Sequence, residues 1–149
     1  MKEKYFISAM EEYAKRLGAY CSFEICEIAE QRLGETPSQA QITAAMEKEA
    51  ADTEKQLTAG AYIAAMCVEG VSRSSEELAE LIKSCAVSGR SKICFVTGGS
   101  NGLHERIKQR ADIRLSMSRM TFPHHLARVM LAEQIYRAFT INAGSKYHK

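Results

Sequence analysis

Three short apolar runs, each followed by a helical pattern, constrain the fold of this chain more than any other feature. The runs cover residues 62–68, 93–97 and 113–117. Runs of this length suit strands that are buried on both faces, and strands that alternate with helices are typical of a parallel sheet. The sequence therefore predicts an α/β fold with a mostly parallel sheet and flanking helices.

The N-terminal third of the chain predicts two further helices and one short strand. Apolar residues recur at helical spacing over residues 5–17, and Gly18 is placed to end that helix in a left-handed cap. Residues 23–28 predict a strand, although two glutamates interrupt its alternation. Thr36 is predicted to cap a second helix that extends to about residue 57, with Pro37 in its first turn.

Glycines and capping residues predict the limits of the later elements. Gly70 is predicted to end the first apolar run. Ser74 and Glu77 have the capping-box spacing of a helix start, and Gly89 is placed to close that helix. The remaining predicted helices end at about residue 110 and extend from Pro123 to about residue 141.

The predicted order of elements lacks one strand. Parallel α/β domains commonly begin with a buried strand, whereas this sequence begins with Met1-Lys2-Glu3-Lys4 and passes directly into a helical pattern. We therefore expect one of two explanations: the given sequence starts after that strand, or the sheet lacks the strand and has an unpaired edge.

Length and composition favour a single domain over residues 1–149. Of these residues 46% are hydrophobic, which is enough for a core of ordinary size. The sequence has no apolar run of membrane-spanning length and no leader-like segment, so we expect a cytoplasmic protein with no membrane partner. The five cysteines are odd in number and none is spaced C-x-x-C, which favours buried reduced thiols over disulfides or zinc ligands.

Charge is distributed unevenly along the chain. Residues 1–88 carry 9 Lys and Arg against 15 Asp and Glu, a net charge of −6, whereas residues 89–149 carry 11 against 3, a net charge of +8. A basic half suits a polyanionic partner such as a nucleic acid. It also suits a solvated surface or contact with the acidic half of a second copy, and composition alone does not separate these alternatives.

A glycine-rich turn follows the second apolar run. Its sequence is Gly98-Gly99-Ser100-Asn101-Gly102, and a second candidate segment covers residues 117–124. Glycine after a strand lets main chain approach a flat ligand and supplies positive φ angles, so these two segments are the candidate small-molecule site. The turn matches neither G-x-G-x-x-G nor a P-loop, which disfavours a nucleoside triphosphate.

Residues near the end of the chain are candidates for anion or RNA contacts. His124 and Arg128 share a helix face, which suits either an anion or ordinary polar capping of the helix start. Glu133 and Arg137 have the spacing of an intrahelical ion pair. The terminal Tyr147-His148-Lys149 lies in a polar tail, where it is either disordered or placed to stack on a base and contact phosphate.

Several ordered motifs together resemble one known family. The motifs cover residues 96–104, 115–124, 128–139 and 147–149, with earlier matches at 12–17 and 47–49. In these segments the chain is similar to the SPOUT-class methyltransferases that methylate N3 of a pseudouridine in large-subunit ribosomal RNA. The similarity extends over essentially the whole chain, except that members begin with a short apolar strand that this sequence lacks.

The resemblance implies a cofactor, a topology and an assembly. It implies a C-terminal trefoil knot that binds S-adenosylmethionine, and a homodimer in which the partner's C-terminal tail completes each site. It also implies that ribosomal RNA is methylated in the assembled ribosome. The implied cofactor contacts are Met66, Gly98, Met117, Ser118, Arg119, Met120, Thr121 and Phe122. Our hypothesis for substrate handling is that Arg128 and Tyr147 contact the RNA and that His148, Glu133 and Arg137 act in catalysis, with no general base assigned.

Two other functions stay open at this point. The first is a catalytically idle RNA-binding or ribosome-associated module that keeps the basic half but does not bind the cofactor. The second is an enzyme of another class that uses the glycine turn for a phosphorylated metabolite. Binding of S-adenosylhomocysteine separates the first from a methyltransferase, and competition by the metabolite identifies the second.

Overall fold

The computed structural model describes residues 3–149, in which helices and strands alternate after the second helix. Met1 and Lys2, which belong to the predicted helical start, lie outside the described residues. The elements are α1 (Lys4–Leu17), α2 (Gln39–Gln56), β1 (Tyr62–Ser72), α3 (Ser75–Val87), β2 (Ile93–Val96), α4 (Glu105–Arg110), β3 (Ile113–Ser116) and α5 (His124–Asn142).

The described strands form one parallel sheet in the order β2-β1-β3, which confirms the predicted α/β fold. Strand β1 is longer than expected because Gly70 lies within it instead of ending it. A Cβ atom at Gly70 would lie 2.6 Å from the carbonyl carbon of Leu115 in β3. Glycine is therefore required at Gly70 by the close approach of two strands, not by a turn.

Helices cover both faces of the sheet. Because side chains alternate along a strand, Ala64 and Ile63 of β1 point to opposite faces. Ala64 packs in a cluster with α3 and α5, and Ile63 packs in a second cluster with α2 and α4. Helix α1 lies on α5, where Leu17 is fully buried beside Leu131 and Ile135.

The N-terminal cap of α3 is as predicted from the sequence, whereas that of α2 is at a different residue. Ser74 and Glu77 form the predicted capping box of α3. Helix α2 begins later than predicted, because Ser38 and Gln41 form the capping box and Thr36 remains outside the helix. The N–H of Ser38 donates to the side chain of Gln41 at 2.9 Å, and the hydroxyl of Ser38 accepts from the N–H of Gln41 at 3.2 Å.

Gly89 and Gly18, which lie near the ends of α3 and α1, differ in backbone conformation. Gly89 has φ +83°, as a left-handed helix end requires. Gly18 instead has φ −57° and is right-handed, so the predicted left-handed cap is wrong. The chain continues to turn after α1 because the N–H groups of Tyr20 and Cys21 both donate to the carbonyl of Leu17.

The predicted strand over residues 23–28 is wrong, since no strand is present between α1 and α2.

The expectation of buried thiols is confirmed fully only for Cys85, whereas Cys26 is exposed and the other three cysteines are partly buried. Within residues 3–149, no helix is both long and apolar enough to cross a bilayer.

Candidate functional site

The three segments predicted to contact a cofactor lie at one edge of the sheet. Gly98 follows β2, Met117 follows β3, and Met66 lies in β1 where it pairs with Leu115. Since the strands are parallel, their carboxyl ends meet at the same edge, which is where ligands bind in open α/β sheets. The topology therefore brings the predicted contacts together from three separate parts of the sequence.

The glycine turn is closed by its own main chain. A Cβ atom at Gly98 would lie 2.4 Å from the carbonyl carbon of Gly102. Gly102 has φ +79°, and its N–H donates to the carbonyl of Gly99 at 3.0 Å. Glycine at Gly98 is thus required by the turn itself, which modifies the expectation that the missing Cβ leaves room for a ligand.

A carboxylate from a distant loop binds the same turn. Glu30 Oε1 accepts hydrogen bonds from the N–H of Ser100 at 3.0 Å and from its hydroxyl at 2.6 Å. These bonds lower the pKa of Glu30, with smaller contributions from the nearby His124 and Arg128 side chains. The main chain of the turn therefore presents a donor to an anionic group.

The loop after β3 has a defined backbone shape. The hydroxyl of Ser116 donates to the carbonyl of Ser118 at 2.9 Å, and the hydroxyl of Ser118 accepts from the N–H of Met120 at 3.0 Å. Met117 is half-buried in the same apolar cluster as Met66, whereas the side chain of Met120 is 72% exposed. Apolar side chains beside a fixed polar backbone suit a flat ligand that has both apolar and hydrogen-bonding parts.

Arg137 is the centre of a polar cluster on α5. Its Nε donates to Oε1 of Glu133 at 2.8 Å, and its Nη1 lies 3.1 Å from Nδ1 of His148. Its Cζ lies 4.9 Å from the centre of the Tyr147 ring, and the Tyr147 hydroxyl donates to Glu133 at 3.5 Å. The structure thus brings together four predicted residues, and the tail packs on α5 of its own chain.

Both ring nitrogens of His148 have partners. Because a guanidinium only donates, Nδ1 of His148 accepts from Arg137, and Nε2 of the neutral ring carries the proton. Nε2 lies 2.7 Å from Oε1 of Glu76 at the start of α3, and this contact lowers the pKa of Glu76. In this arrangement His148 anchors the tail and has no ring nitrogen available to take a proton from a substrate.

Tyr13 of α1 adjoins this cluster. Burial, followed by the proximity of Tyr147 and Glu133, raises the pKa of Tyr13. The hydrogen bond that Arg137 donates to Glu133 raises the pKa of Arg137, so the guanidinium stays charged. The sequence predicts only that Tyr13 lies on the apolar face of a helix, and no spacing signal connects it with the tail.

Among the described residues, three of the eleven Lys and Arg side chains of the C-terminal half pair with acidic residues of the N-terminal half. Arg106 and Arg110 both contact Glu54, at 2.6 and 3.5 Å, and Lys108 contacts Glu69. The two halves therefore neutralise each other partly within one chain. In the part of the chain that the structure describes, no ion pair forms at Arg119, Arg128, Lys146 or Lys149.

Comparison with known proteins gives full-length matches. A family model described as "Predicted SPOUT methyltransferase" matches residues 1–148. Proteins named ribosomal RNA large subunit methyltransferase H are 46% identical in Limosilactobacillus reuteri (strain DSM 20016), 44% in Bacillus pumilus (strain SAFR-032) and 43% in Clostridioides difficile (strain 630). Each comparison covers 100% of this chain and 94% of the relative. The chain therefore belongs to the SPOUT methyltransferase family.

Proposed function

We propose that this protein transfers a methyl group from S-adenosylmethionine to N3 of a pseudouridine in large-subunit ribosomal RNA. The observation that carries the proposal is similarity over the whole chain to relatives named ribosomal RNA large subunit methyltransferase H. The meeting of the three predicted cofactor segments at one sheet edge supports it independently. The proposal treats residues 1–149 as one domain.

The cofactor would be held by Met66, by Gly98 and by residues 117–122. When bound, it supplies an electrophilic methyl group on a sulfonium. The half-buried side chains of Met66 and Met117 offer an apolar surface, and the fixed main chain around Ser118 offers hydrogen-bonding groups. The proposal includes a trefoil knot in the C-terminal part of the chain, as in the family that the sequence resembles.

The polar cluster on α5 would handle the RNA base. Methylation at N3 requires loss of a weakly acidic imide proton, and a nearby cation stabilises the negative charge that develops there. We assign that role to Arg137, with Glu133 fixing the direction of its guanidinium. Arg128 and Tyr147 would contact the RNA, and His148 would hold the tail in place. Much of the rate enhancement would come from alignment of the two reactants.

The proposed assembly is a homodimer in which each site receives the partner's tail. In this structure Tyr147 packs edge-on against Tyr136, with ring centres 4.9 Å apart, and His148 contacts α3 of its own chain. An exchange of tails between two copies can keep these contacts, because a swapped element meets the same surface on the partner. The substrate in this proposal is ribosomal RNA in the assembled ribosome.

Calorimetry with S-adenosylhomocysteine tests whether the glycine turn belongs to the cofactor site. We expect the unmodified protein to bind, and Gly98→Ala to weaken binding by about tenfold or more, because its Cβ atom would collide with Gly102. Gly34→Ala is the control, since a Cβ atom at Gly34 would meet nothing within 4 Å. Absence of binding by the unmodified protein would favour the idle RNA-binding module.

A further inference from the structure

The glycine turn has one main-chain donor that the turn itself does not use. The N–H of Gly102 closes the turn by donating to the carbonyl of Gly99. Among residues 3–149, no main-chain group accepts from the N–H of Ser100, which donates to Oε1 of Glu30 instead. The hydroxyl of Ser100 donates to the same oxygen. Ser100 therefore presents two donors that converge on one anionic oxygen.

Gly99 leaves the space that this anionic oxygen occupies. A Cβ atom at Gly99 would lie 2.8 Å from Oε1 of Glu30, and the three atoms nearest to it would all belong to the Glu30 side chain. Gly99 is not among the glycines with positive φ, so its backbone conformation does not require glycine. The missing side chain at Gly99 thus makes room for an anion at Ser100.

Two side chains at the start of α5 lie near the same carboxylate. After the hydrogen bonds from Ser100, the proximity of His124 and Arg128 also lowers the pKa of Glu30. Arg128, Glu30 and Gly99 line one cavity, yet no carboxylate of the described residues forms an ion pair with Arg128. A phosphate group has more acceptor oxygens than a carboxylate, so it can contact the donors of Ser100 and the guanidinium together.

Exposure favours a phosphate of RNA over the carboxylate of the cofactor as the ligand. Ser100 and Glu30 are exposed to solvent, whereas the proposed cofactor contacts Met66 and Met117 are half-buried in an apolar cluster. An exposed site is open to the backbone of a polymer. Arginine, serine and main-chain N–H groups are also the donors that proteins commonly direct at nucleic-acid phosphates.

We propose that Ser100 and Arg128 form a binding site for one phosphate of the RNA substrate, and that the carboxylate of Glu30 occupies this site in the free protein. The inference rests on the proposed function, because it names a contact by which the same protein would hold its RNA. Departure of the carboxylate needs only rotation of the Glu30 side chain, since the N–H of Gln31 is held by Glu49 of α2 at 3.0 Å. RNA therefore competes with Glu30 for the site.

Removal of Glu30 tests the site with inorganic phosphate as the probe. The measurement is the shift of the Ser100 amide signal in NMR spectra as phosphate is added. We expect Glu30→Ala to bind phosphate at Ser100 about tenfold or more tightly than the unmodified protein, because the competing carboxylate is absent. Glu35→Ala removes a carboxylate from an exposed position of the same loop, and this control is expected to match the unmodified protein. Addition of Arg128→Gln to Glu30→Ala is expected to reverse the gain.

Binding to ribosomes from cells that lack the modification tests the assignment to RNA. We expect Glu30→Ala to bind them about threefold or more tightly than the unmodified protein, and Glu35→Ala to bind them equally well. The affinity of Glu30→Ala for S-adenosylhomocysteine is expected to be that of the unmodified protein. Arg128→Gln is expected to reduce the slope of log affinity for ribosomes against log salt concentration by about 0.7–1, as the loss of one phosphate contact does.

Four results would overturn the proposal, and they separate it from the proposed function. Absence of tighter phosphate binding at Ser100 in Glu30→Ala would remove the site, whether or not the protein methylates RNA. Equal gains in Glu30→Ala and Glu35→Ala would show that only net charge acts.

The other two results concern the ligand. Tighter binding of phosphate and of S-adenosylhomocysteine by Glu30→Ala, with unchanged binding to ribosomes, would assign the site to the cofactor's carboxylate. Phosphate binding at Ser100 without ribosome binding by either protein would contradict the proposed function, and the assignment to RNA with it.

Discussion

At the scale of residues, the account depends on Glu133 directing the guanidinium of Arg137. We expect Glu133→Gln to lower the single-turnover rate of methyl transfer by about 10- to 100-fold, because the positioning of Arg137 is lost. The matched control is Glu12→Gln. Glu12 also contacts an arginine four residues later, Arg16, at 3.0 Å, but on an exposed part of α1. The control is expected to keep the unmodified rate.

His148→Ala provides a second measurement on the same cluster. Loss of the imidazole removes the contacts with Arg137 and Glu76, so we expect the tail to become mobile and the single-turnover rate to fall. If both His148→Ala and Glu133→Gln retained unmodified rates, the polar cluster would have no part in the reaction.

Some of these residues follow from sequence spacing and others do not. The pair Glu133 and Arg137 is predictable because residues four apart on a helix are neighbours. Glu30 and Glu76 are not predictable in this way, since their partners Ser100 and His148 lie 70 and 72 positions away. Only the topology brings such residues together, and neither glutamate belongs to a motif that indicates a distant partner.

At the scale of elements, Asp112 connects the beginnings of β1 and β3. Its carboxylate accepts from the N–H of Ile63 at 2.8 Å and from the guanidinium of Arg90 at 3.2 Å. The hydrogen bond from Ile63, followed by that from Arg90, lowers the pKa of Asp112. The pKa of Asp112 in the folded state lies below its ordinary value of about 4. The stabilisation is therefore fully present above about pH 4, and it is lost as the pH falls through the folded-state pKa.

We expect Asp112→Asn to reduce the free energy of unfolding at pH 7 by about 1–3 kcal/mol, measured by urea denaturation. The difference in free energy of unfolding between the variant and the unmodified protein is expected to shrink below about pH 4, since protonation of Asp112 removes the charge that the variant lacks. Glu11→Gln, at an exposed position of α1, is the control. It is expected to change neither the free energy of unfolding at pH 7 nor the dependence of that free energy on pH. A difference that stayed constant from pH 7 to pH 2.5 would show that the charge of Asp112 does not contribute.

Elements with their own local signals are predicted well, and those that depend on a neighbour are not. Strands β2 and β3 coincide with apolar runs, and the capping box fixes the start of α3. Residues 23–28 have strand-forming residue types but no adjacent strand among the described residues, so they remain irregular. The sequence predicts a strand end at Gly70, because sequence alone does not show that β3 passes so close to it.

At the scale of the whole molecule, the charge asymmetry is only partly available for RNA. Ion pairs such as that of Arg106 with Glu54 neutralise part of the positive charge within the chain. Arg119, Arg128 and the tail lysines Lys146 and Lys149 form no ion pair in the described part of the chain, so their positive charges are available for phosphate. Counting charges by halves predicts the basic character of the C-terminal half, but it does not predict which of its side chains face solvent.

The most direct test of the central claim uses S-adenosylmethionine with a labelled methyl group and ribosomes from cells that lack this modification. The account predicts that the protein incorporates label into large-subunit ribosomal RNA, and that digestion places the label in N3-methylpseudouridine. Absence of label from large-subunit RNA, or label confined to small-subunit RNA or to ribosomal protein, would contradict it.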